Sequence, residues 1–170
     1  MKAVRASATA LALAGALAIS ACSGPTSAQT AAVVEGRVIT EEQVREATDQ
    51  INTAFTPEKP FTVAQILTLL VRAPYVTEAA AEAGRAQSES VARAVPQLQK
   101  LSEPPTDAVI EILQAEASVQ QIDDATRQEL SRQFAELDMT INPRYGTFDP
   151  AQSSVVVSRP DWIAPATPEG

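Results

Sequence analysis

Few side chains in this 170-residue sequence are of a type to do proton-transfer or covalent chemistry, and the missing types exclude most reaction classes. There is no histidine, which removes Ser-His-Asp and Cys-His nucleophile–base arrangements. Zinc would have to be held by carboxylates alone, a poor match to its usual ligands. The six glycines stand at 15, 24, 36, 84, 146 and 170, too far apart for a phosphate loop or a dinucleotide fingerprint. After residue 21 the only lysines are Lys59 and Lys100, and neither lies in a Ser-x-x-Lys motif. Glu41-Glu42 and Asp123-Asp124 have the adjacency of acid/base pairs. Each pair sits where a helix is predicted to begin, and the positive end of a helix dipole stabilises acids without any catalytic role. Glu78 and Glu82 share a helical face but lack the spacing of a calcium loop. These patterns point to no enzyme, no cofactor and no metal.

Binding chemistry is better represented. Arg144 and Tyr145 stand in "NPRYG", residues 142–146. Arginine and tyrosine are favoured at interaction hot spots. The same five residues also make a turn, with Pro143 fixing φ and Gly146 permitting the reversal, and the turn is the preferred reading. Trp162 is the sole tryptophan and stands in a tail. It either docks on its own domain or contacts a partner. These three are the candidate peptide-binding residues.

Cys22 is the only cysteine, so no intramolecular disulfide is possible. It comes after Lys2 and Arg5 and an uncharged apolar run over 6–19. That run is shorter than the about 20 residues of a membrane-spanning helix and fits a secretory signal. "ISAC", Ile19 to Cys22, resembles a lipobox. The resemblance implies cleavage between Ala21 and Cys22 and lipidation of Cys22, placing the chain on the extracytoplasmic face of a cell membrane. Stable anchoring needs more than one acyl chain, which a diacylglycerol supplies. Loss of residues 1–21 takes two cations and no acid, so a net charge of −8 becomes −10. Such a chain has no electrostatic reason to bind nucleic acid and is repelled by an anionic membrane surface. The expected organisation is a signal peptide over 1–21, a tether over 22–31, a helical domain over 32–148 and an extended, partly disordered tail over 149–170.

The elements that must position these residues are mostly helices. In "VVEGRVITEEQV", residues 33–44, a short strand, a Glu35-Gly36 turn and a return strand lead into a capped helix. Thr40 and Gln43 form a capping box, and Ile39 and Val44 a hydrophobic staple. Val44, Ala47, Ile51 and Ala54 give that helix one apolar face, to about Phe55. A second helix starts near Thr62 and is apolar enough to be central; Pro74 is expected to kink or end it, with continuation to Gly84 at C′. A third runs from Ser88 to Leu98, a fourth carries Val109, Ile110, Leu113 and Ala117, and a last spans 124–137. Met139 and Ile141 alternate as a strand, and residues 155–157 could form a lone one. Isolated short strands do not persist, so Val33-Val34 or Val38-Ile39 is expected to pair with Met139–Ile141, joining the two ends of the domain.

Val34, Gly36, Ile39 and Thr40 match the opening hairpin of the SurA and PrsA group of extracytoplasmic foldases, which resembles this stretch as Val-x-Gly-x-x-Ile-Thr. "TEAAAEAG", residues 77–84, is similar to helix ends in that group's chaperone domain. "INPRYGTFD" with Trp162-Ile163 resembles short envelope lipoproteins of actinobacteria carrying a SurA N-terminal-like domain. The resemblance covers roughly 32–148. The parvulin isomerase block of the full foldases, with its histidines, has no counterpart here. The resemblance implies an ATP-independent, chaperone-like (holdase) fold that binds unfolded or extended polypeptides in a groove between helices. The alternative is a structural or adaptor lipoprotein docking one specific envelope protein.

Overall fold

A computed structural model of the chain describes residues 28–157. Ala21, Cys22 and Trp162 lie outside these residues. The fold is mostly α. Strands β1 (Thr30–Val34) and β2 (Arg37–Thr40) precede helices α1 (Glu41–Phe55), α2 (Val63–Glu82), α3 (Glu89–Arg93), α4 (Asp107–Val119) and α5 (Asp124–Glu136). A 3₁₀ segment, Pro96–Lys100, separates α3 from α4. Strands β3 (Met139–Ile141), β4 (Thr147–Asp149) and β5 (Ser154–Val156) close the described chain.

β1 is the central strand of an antiparallel sheet of order β2-β1-β3. Glu35 and Gly36 both have positive φ, 48° and 80°, as a two-residue type I′ hairpin requires. Val34 faces Arg37 on one side and Met139 on the other, and Val33 faces Thr140. Glu35 ties the hairpin to the far end of the domain. Its N–H donates to the Asp138 carbonyl at 2.8 Å, and its Oε1 accepts the Asp138 N–H at 2.7 Å. The expected pairing of the two ends is therefore made through β1. The strand starts at Thr30 and Ala31 is fully buried, which corrects the placement of residues 30–31 in a tether.

Each long helix starts as its sequence dictates. Thr40 caps α1 and Thr62 caps α2, both with full capping boxes through Gln43 and Gln65. At the C-terminus of α2 the Gly84 N–H reaches the Ala81 carbonyl and the Arg85 N–H the Ala80 carbonyl, the two bonds of a Schellman motif. Pro74 lies inside α2, which runs on past it without interruption. The carbonyl its missing N–H leaves free, that of Leu70, accepts Arg37 Nη1 at 3.2 Å. Pro96 does break the third expected helix, leaving a five-residue α3 and the 3₁₀ segment.

The core has two parts, both built on α2. Ile66, Leu67, Leu70 and Val71 pack with Val44 and Ile51 of α1, Val109 and Ile112 of α4, and Val34 and Ile39 of the sheet. Further along, Ala73, Val76 and Ala80 meet Ala115, Ile122, Leu130 and Phe134. The stretch after 148 is not a plain tail. β5 pairs with β4, Phe148 opposite Val155, and the Val155 N–H donates to the buried Thr68 Oγ1 at 2.9 Å. Residues 149–156 thus belong to the folded unit, and the expected lone strand at 155–157 is half of a hairpin.

Candidate functional site

The "NPRYG" segment is a structural turn. The buried Asn142 side chain donates to the Thr30 carbonyl at 2.8 Å, its carbonyl accepts the Tyr145 N–H at 2.9 Å, and its Oδ1 accepts the Arg144 N–H at 3.1 Å. Arg144 Nη1 then reaches Glu41 Oε1 at 2.6 Å. Burial, and then the nearby Glu41 carboxylate, hold the Tyr145 pKa above the usual phenol value. Arg144 thus fastens the turn to the first residue of α1, and Tyr145 lies beside the same acid. Asp123 accepts the Thr126 N–H as the cap of α5, and Asp124 pairs with Arg127. Among the described residues no group of three or more acids or cysteines is placed to hold a metal ion. No described helix is long and apolar enough to cross a membrane.

Two recesses meet at Phe134. The first, of about 370 Å³, lies between β3 and β4 and is lined by Phe134, Leu137, Met139, Ile141 and Phe148 with little charge. β3 is an edge strand. The bonds from Glu35 N–H to the Asp138 carbonyl and from Asn142 N–H to the Ala31 carbonyl fix the phase of its ladder. Thr140 directs its backbone groups at Val33, so those of Met139 and Ile141 face the open side. No described residue takes them up.

The second recess, of about 270 Å³, is formed by α2, α5 and the turn between β4 and β5. Arg72 places its guanidinium carbon 5.5 Å from the centre of the Phe134 ring. Tyr75 meets the same ring edge-on, with centroids 5.9 Å apart. Arg72 Nε is buried and has no hydrogen-bond partner among the described residues. Arg127, also at this recess, is committed to Asp124 and to the Val119 carbonyl.

Sequence reasoning missed both recesses. The open edge depends on which strand is central, and the arginine site depends on a helix partner 62 residues away in the chain. The one local sign was a single cation, Arg72, in the otherwise uncharged first fifteen residues of α2. Comparison with protein-family models, with characterised proteins and with solved structures finds no match.

Proposed function

We propose that the protein is a lipid-anchored, extracytoplasmic binder of unfolded or extended polypeptides, a holdase without ATP or catalysis, related to the SurA N-terminal chaperone domain. One observation carries the binding part: the outer edge of β3, unpaired among the described residues, borders an apolar recess. An extended chain added there would satisfy the outward N–H and C=O groups of Met139 and Ile141, while the half-buried Leu137 and Phe148 take alternate side chains. Main-chain bonds give sequence-tolerant affinity and the side-chain pockets a preference for apolar residues, which suits a client that is any unfolded chain. The hairpin and capped helix of residues 33–44 and the "ISAC" signal support the family and the location.

The test is suppression of aggregation. At comparable concentration the protein should slow aggregation of several unrelated unfolded clients without nucleotide, and a photo-crosslinker at residue 148 should capture them. No suppression with any client refutes the reading. Capture of a single folded protein in fixed stoichiometry would establish the adaptor alternative instead.

A further inference from the structure

The Arg72 recess has a composition at odds with the rest of the molecule. The chain carries eight more acids than cations, yet two arginines and no acid line this concavity. Arg127 is occupied by Asp124 and the Val119 carbonyl. Arg72 makes no hydrogen bond and no ion pair among the described residues, and its buried Nε is an orphan donor. The Nε is too buried for a ligand to reach, so the two Nη groups of the fork, which stacking on Phe134 leaves without hydrogen-bond partners, are the ones open to a ligand. The remaining walls are of two kinds. Ser131 and Gln152 supply neutral polar groups, and Ile122, Leu130 and Phe134 an apolar floor. A guanidinium fork beside an apolar floor matches a carboxylate carried next to an apolar side chain. At about 270 Å³ the recess has room for one terminal residue.

We propose that this recess binds the C-terminal residue of an extended polypeptide, Arg72 taking the carboxylate while the terminal side chain lies over Ile122, Leu130 and Phe134. The inference deepens the peptide-binding reading and rests on it for the source of the carboxylate. Phe134 lines both recesses, so a client strand on β3 and its terminus on Arg72 would be neighbours.

The experiment titrates the chain with N-acetylphenylalanine and with its amide, monitoring the methyl resonances of Ile122 and Leu130. The acid should bind about tenfold or more tighter than the amide, since a hydrogen bond to a charged group is at stake. Arg72→Gln should erase that preference, and Arg72→Lys should retain part of it. Thermal melts of both variants confirm folding, and the acid–amide comparison on the unmodified protein needs no variant at all. Equal binding of acid and amide, or a preference that survives Arg72→Gln, overturns the proposal. A C-terminal-amide decapeptide run in parallel separates the two ideas. If it binds while the acid preference is absent, only the carboxylate site fails; if it does not bind while acetylphenylalanine does, only the β3 reading fails.

Discussion

Arg37 Nη1 and the carbonyl of Leu70 lie 3.2 Å apart, and the bond exists because Pro74 cannot make it. A guanidinium from β2 thus completes the hydrogen-bond ladder of the central helix. The other nitrogen of the same fork holds Glu111 Oε2 of α4 at 2.7 Å. One side chain joins the sheet to two helices.

Arg37→Met should destabilise the protein by about 1–2 kcal/mol, from a partly buried carbonyl and a half-buried carboxylate both losing a donor. Pro74→Ala restores an N–H for Leu70. It should therefore stabilise the Arg37→Met variant more than the parent, with a coupling of about 0.5–1.5 kcal/mol in a double-mutant cycle by urea denaturation. Additive effects would show that Arg37 does not serve the proline gap.

Burial raises the Glu111 pKa above 4.5, and the Arg37 charge and hydrogen bond only partly oppose it. The folded carboxyl thus holds its proton to higher pH than the unfolded one. Its contribution to stability is fully present below about pH 4.5 and is lost as pH rises through the folded pKa. Glu111→Gln removes that loss, so the unfolding free energy of the variant should gain on the parent as pH rises through this window. Asp123 and Asp149 act in the opposite sense. Hydrogen bonds, from Thr126 and from Gln152 and Ala151, hold both carboxyls below 3.8. Their contribution is present above that pH and is lost on further acidification, so Asp123→Asn should flatten the acid limb of the stability curve.

Gly146 has φ of 119°, and a Cβ there would overlap the backbone carbonyl of Val156. Gly146→Ala should cost about 1–3 kcal/mol and loosen the β4–β5 hairpin. Hydrogen exchange at the Val155 amide, which is bonded to Thr68, should rise more than exchange in α1. Uniform acceleration would mean that the hairpin and the helices unfold as one unit.

Thr62→Ala removes the acceptor for the Gln65 N–H and half of the capping box of α2. A loss of about 1 kcal/mol is expected in chemical denaturation. Retention of full stability would show that packing of α2 alone sets its start.

If clients bind along β3, backbone chemistry is decisive. A peptide N-methylated at the amides facing β3 should bind about tenfold or more weakly, whereas the same peptide methylated at the alternate amides should bind unchanged. Equal binding by the two would rule out strand addition.

The helical core was legible in the sequence where the signal is local. The capping residues of α1 and the buried face Val44, Ala47, Ile51 and Ala54 come from types and spacing alone. The expected continuation past Pro74 to Gly84 holds, but the group that completes the ladder there, Arg37, lies 37 positions earlier and is not legible locally. The β4–β5 hairpin was hidden because three-residue strands carry little periodicity and its anchor, Thr68, sits on a helix. In α4 the predicted Leu113 and Ala117 are half-buried, while Ile112 and Ala115 are buried. That helix touches α1, α2 and α3, and three contacts blur a single apolar stripe. The Arg72 recess is a product of the packing of α2 on α5, which no window of sequence contains.

The placement of β1 has a temporal consequence. Its partner β3 lies more than a hundred residues downstream, so a chain emerging amino end first exposes one flank of β1 until β3 has been made. Closing so large a loop is slow and entropically costly. Residues 139–141 must leave the exit channel before the sheet can be completed. Until then the nascent protein is itself an incomplete β-ribbon, open to capture by whatever chain is nearest.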